Sequence, residues 1–153
     1  MKKIFQNLID EGLLKEEEIG RPFVNKVIAK ARGDLKSAEI LFKNSREENA
    51  FELAYESMLS SGRALAFSYG LRPRSQGSHR ITLEFARLAM DESAANLLKR
   101  FSRMRKTRHY LIYGAGLSIS MTEAENALKN AREFLKRTEE DMRKRDPQRQ
   151  MFL

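Results

Sequence analysis

Phe51-Glu52-Leu53-Ala54-Tyr55-Glu56-Ser57-Met58-Leu59-Ser60-Ser61-Gly62-Arg63-Ala64-Leu65-Ala66-Phe67-Ser68-Tyr69-Gly70 decides the fold. Phe51, Ala54, Tyr55, Met58, Gly62, Leu65 and Tyr69 recur at steps of three and four, which places their side chains on one face of an α-helix. Gly70 stands where a left-handed C′ residue would close that helix. Ser60, Ser61, Gly62 and Ala64 are small, so a second helix can approach closely. A helix apolar along one stripe has to bury that stripe against other elements.

The same period continues outward. Upstream, Val24, Val27, Ile28, Ala31, Leu35, Ala38 and Leu41 predict a helix from Phe23 to about Lys43, after the Gly20-Arg21-Pro22 boundary. Downstream, Leu71 to Ser78 carries Pro, Gly and Ser without a period and reads as a basic loop. A helix is predicted from about His79 to Met90, with Ile81 or Leu83, Phe85 and Leu88 inward. Asp91-Glu92-Ser93 offers a cap for another from about Ala94 to Tyr113, which Gly114-Ala115-Gly116 stops. Ser120 with Glu123, or Thr122 with Glu125, has capping-box spacing for a last helix that Asp146-Pro147 ends. No segment has strand periodicity, and no repeat recurs. The expected fold is all-α, an up-and-down bundle of four to five helices over residues 21–143, with a helical lead over 1–20 and a polar tail over 144–153. That tail, ending Met151-Phe152-Leu153, reads as disordered or as packed on the protein's own dimer, with docking on a partner as the alternative.

Composition narrows the function. The absence of Cys rules out a disulfide framework, an iron–sulfur cluster and a thiol nucleophile, and fits a cytoplasmic setting. No apolar run reaches the roughly eighteen residues of a membrane span. With only His79 and His109, a His-rich metal site is not expected, and no cofactor is implied.

Charge is the stronger signal. The net charge is +8, yet residues 93–122 contain no acid while holding Lys99, Arg100, Arg103, Arg105, Lys106 and Arg108. Residues 57–83 are also free of acid and hold Arg63, Arg72, Arg74 and Arg80. Such a field attracts phosphate, so RNA or a nucleotide is the expected partner, unless the run is only a solvated helix face. Arg108 falls at the spacing of Leu97, Phe101, Met104 and Leu111, where an apolar residue is expected. It needs an anion, a carboxylate or an interface there, or must snorkel to water. Arg105, His109 and Tyr113 share a neighbouring face with Tyr110 close by, a set able to grip a phosphodiester and move protons, or simply to pack half-buried.

The run Ala54 to Leu65, then Gly70-Leu71-Arg72-Pro73, His79 and Phe85-Ala86, with Ala31-Arg32-Gly33-Asp34-Leu35-Lys36-Ser37-Ala38 before them, resembles the HEPN domain family over about residues 22–143. The resemblance implies a helical bundle, usually a homodimer. Many members are metal-independent endoribonucleases or toxins paired with a nucleotidyltransferase-type antitoxin, and others are non-catalytic nucleotide- or RNA-binding modules. Their signature, an Arg, a polar residue, a few positions and then His, fits two ways. Arg108, His109 and Tyr113 before Gly114 resemble a subgroup with Tyr for the terminal His, and Arg103 with His109 is the other register. The first is favoured and makes Arg108, His109 and Tyr113 the catalytic candidates, with Arg103, Arg105, Lys106, Arg72, Arg74 and His79 as phosphate contacts. A phenol, with an ordinary pKa of about 10, is a poor base at neutral pH, so His109 is the alternative proton carrier.

Overall fold

The computed structural model describes residues 2–114 and 118–146, and among these the fold is helical. A 3₁₀ turn, Lys2–Phe5, leads into the short α1, Gln6–Asp10. The bundle follows: α2 Arg21–Lys43, α3 Glu47–Ser68, α4 Ser78–Ala89, α5 Ala95–Ile112 and α6 Met121–Arg145. Ala115 and Gly116 of the predicted helix stop, and the tail from 147 onward, lie outside the described residues. No helix among the described residues is long and apolar enough to cross a membrane.

Local sequence sets each boundary. Pro22 sits in the first turn of α2, where its missing N–H costs nothing. At the other end Ser45 takes a left-handed conformation (φ 59°), and the Arg46 and Ser45 amides bond back to Leu41 O (2.9 Å) and Phe42 O (3.1 Å). This Schellman turn is tight enough to fold α3 back along α2. Gly70 ends α3 at φ 72° and Gly114 follows α5 at φ 67°, both as expected. The box at the start of α6 uses Ser120 and Glu123.

The small residues of α3 do what their size suggested. Ser57 donates to Ala31 O on α2 (2.7 Å), Ser61 donates to Ser57 O, and Gly62 faces Thr82 of α4 and Phe134 of α6. The core between these helices is aromatic. Phe101 meets Phe134 edge-on (5.0 Å between centroids) and Tyr55 likewise (5.7 Å). Arg32 of α2 and Glu139 of α6, both largely buried, pair across the bundle.

One element was not expected. Leu14–Glu16 (β1) pairs antiparallel with Leu71–Pro73 (β2), so the start of the predicted loop is strand, and the helical lead ends at Asp10. Three residues are too few to show a period of two. The pairing ties the amino end to the bundle: Leu14 and Phe5 are buried, and Phe5 stacks on Phe85 at 4.7 Å.

Candidate functional site

α5 carries the charge and is asymmetric around its axis. Leu97, Phe101 and Met104 are buried, as the period requires. Arg108, next on that stripe, turns toward α3. Its Nη2 lies 3.3 Å from Glu56 Oε1, and its guanidinium sits 5.5 Å from the centre of the Tyr55 ring. About a quarter of the side chain is exposed, and its Nε is buried without a hydrogen-bond partner. The carboxylate that an inward Arg requires is therefore Glu56, the last acid before the acid-free stretch.

Behind Arg108 is a polar junction of three helices. The Tyr55 hydroxyl and His79 Nδ1, at the start of α4, are 2.9 Å apart, and Arg63 donates to Ser78 Oγ (3.2 Å). Burial pushes the Tyr55 phenol up to about 12, against the pull of the Arg108 and Arg105 charges. Burial also holds His79 below the ordinary imidazole range, helped by Arg63, Arg108 and Arg105 and opposed by Glu56. The folded imidazole is then harder to protonate than its unfolded counterpart, which takes up a proton as pH falls through about 6.5. Stability is thus complete above that pH and declines as pH falls toward the lower folded value. Urea midpoints between about pH 7.5 and 5.5 fall less steeply in His79→Gln than in wild type. Equal slopes would remove His79 as the cause.

The other face of α5 is open. His109 is exposed, Tyr113 is 73% exposed, and their rings lie in tilted contact, centroids 4.7 Å apart and planes at 49°. Tyr110 meets His109 edge-on, and Arg105, Lys106, His109 and Tyr110 outline a hollow of about 220 Å³. Cations beside exposed rings are the parts of a single-strand nucleic-acid platform.

A model of the HEPN domain matches residues 24–141. This chain belongs to the HEPN domain family. The match runs from Val24 in α2 to Asp141 in α6, so it takes in the five-helix bundle and every side chain of the α3–α4–α5 junction. No curated protein matches the chain. HEPN domains are associated with ribonuclease or toxin activity and with nucleotide binding.

The candidate motif residues are not gathered in one place. Arg108 points to α3 while Tyr113 stays outside with His109, and Arg103 opens on a third side, a groove of about 600 Å³ between α5 and α6 floored by Phe51 and Met104. Arg72 and Arg74 lie elsewhere. Arg72 donates to Glu17 (2.8 and 3.0 Å) and lies over the Phe67 and Phe23 rings, and Phe67 is about 18 Å along α3 from Tyr55. Arg74 bonds to Gln76 O. Tyr55 and Glu56 join the site unforeseen, since on their helix the local pattern shows only packing, and Arg63, which the sequence marks only as one cation of an acid-free stretch, joins them. Among the described residues no three His, Asp or Glu cluster as metal ligands.

Proposed function

We propose that this HEPN protein is a dimeric, RNA-binding endoribonuclease that works without a metal ion, as the toxin-like member of a pair with a nucleotidyltransferase-type antitoxin. The observation that carries it is the exposed ring contact of His109 and Tyr113 beside Arg105 and Lys106, one residue from Arg108. In this reaction the ribose O2′ attacks the neighbouring phosphorus as the P–O5′ bond breaks. The 2′-hydroxyl proton goes to an imidazole or phenolate, and a proton returns to the leaving O5′. Products are a 2′,3′-cyclic phosphate and a 5′-hydroxyl. Arg108 supplies charge to the phosphorane, the role positioned guanidinium groups fill in phosphoryl chemistry. Since Arg108 and Tyr113 diverge on one chain, a second copy completes the site.

One observation favours a second reading, a non-catalytic module that binds a nucleotide, nucleic acid or nucleotidyltransferase: the Arg108 guanidinium already holds the Glu56 carboxylate. Incubating purified protein with mixed labelled RNAs in EDTA separates the two. Cyclic-phosphate ends in wild type, with their loss in His109→Ala or Tyr113→Phe naming the proton carrier, support the nuclease. Salt-sensitive binding without any cleavage supports the module.

A further inference from the structure

Arg105 lines two hollows. Beyond the one beside His109, it also borders a groove of about 360 Å³ between α4 and α5, whose walls carry Arg80 and Lys99 and whose floor includes Leu83 and Leu98. Glu84 is the acid at this groove, and it is spoken for: Arg87 donates to it through Nε at 3.2 Å and through Nη2, holding its carboxyl below the usual range. Arg80, Lys99 and Arg105 form no ion pair among the described residues, and Arg105 Nε is buried without a hydrogen-bond partner. A guanidinium that lines a groove without a carboxylate partner is stabilised by an incoming anion.

We infer that the α4–α5 groove is a second RNA subsite, which takes the nucleotides flanking the phosphate bound at the Arg108–Tyr113 motif. The inference rests on the RNA reading above and says where the strand runs. Three cations around an apolar floor suit a chain with anionic links and flat, partly apolar units, so phosphates meet Arg80, Lys99 and Arg105 while a base or ribose packs on Leu83 and Leu98. An inorganic phosphate would leave that floor bare. An acidic peptide would match the charge but not the continuity: Arg105 joins the groove to the motif hollow, and Lys99 to His109 spans about 15 Å along α5.

The test compares affinities, by fluorescence anisotropy, for a labelled single-stranded RNA of about twelve nucleotides and for a labelled dinucleotide. Wild type prefers the long RNA. In Arg80→Ala/Lys99→Ala the long-over-short ratio falls about tenfold at about 150 mM salt, and the salt slope for the long RNA shrinks by about 1.4, as two lost single-strand phosphate contacts require. Lys26→Ala/Lys36→Ala removes the same charge from exposed α2 positions and leaves the ratio unchanged. If both double variants behave alike, net charge explains the preference and the groove inference is overturned. If the groove variant keeps the full ratio, the inference falls and the RNA reading stands. If wild type binds neither RNA, the RNA reading has failed and takes the inference with it. Capture of a labelled glutamate-rich peptide, lost in the groove variant while RNA binding persists, would assign the groove to an acidic partner instead.

Discussion

Gly62→Val lowers stability by about 3 kcal/mol and the thermal midpoint by about 10 °C. A Cβ at position 62 would stand 2.7 Å from Thr82 Cγ2, with the Phe134 ring 3.8 Å away. Neither neighbour can yield easily. Thr82 is fully buried and its Oγ1 donates to Ser78 O at 2.7 Å, so turning its methyl away breaks a partly buried hydrogen bond. Phe134 is fully buried between α3 and Phe101. α4 must lift off α3, and since it begins at Ser78 and His79, the junction behind Arg108 shifts with it. Gly33 is the control: exposed in the middle of α2 with nothing within 4 Å of an added Cβ, Gly33→Ala gains about 0.5–1 kcal/mol. Circular-dichroism melts check both. A Gly62→Val midpoint equal to wild type would mean that α3 and α4 do not approach this closely.

The bundle was legible because helix packing writes a local signature: each stripe from Val24, Phe51, Ile81, Leu97 and Ala124 repeats within a few residues. The β1–β2 pair left none, since its two halves are distant in sequence and Leu14–Glu16 is too short to alternate. The candidate site divides the same way. Arg108 stood out as a charge breaking an apolar period, which is local. Glu56, its partner, could not be named, because the α3–α5 crossing that joins them is a tertiary fact. Charge counting has a similar blind spot. Arg72 and Arg80 are equivalent in the sequence, yet one is pinned by Glu17 over two phenylalanine rings and the other lines an open groove. Composition reports how many cations there are, and only packing reports which remain available to a phosphate.

Arg108→Ala reduces RNA cleavage by about a hundredfold to a thousandfold, the usual loss when one positioned charge-stabilising group is removed. Binding suffers far less, by about fourfold at about 150 mM salt for a single lost phosphate contact. The variant folds, because the pair with Glu56 is partly solvated on both sides and contributes at most about 1 kcal/mol, with a similar amount from the contact with Tyr55. Glu56→Gln tests the converse. With the carboxylate gone the guanidinium is free to meet a phosphate, and RNA affinity rises. Rates over a range of RNA concentrations separate the contributions: a fall in kcat at constant KM makes Arg108 a transition-state group, whereas a rise in KM alone makes it an anchor for bound RNA. In the second case the Glu56 pair is the resting seat of a binding residue, and the non-catalytic reading gains what the nuclease loses.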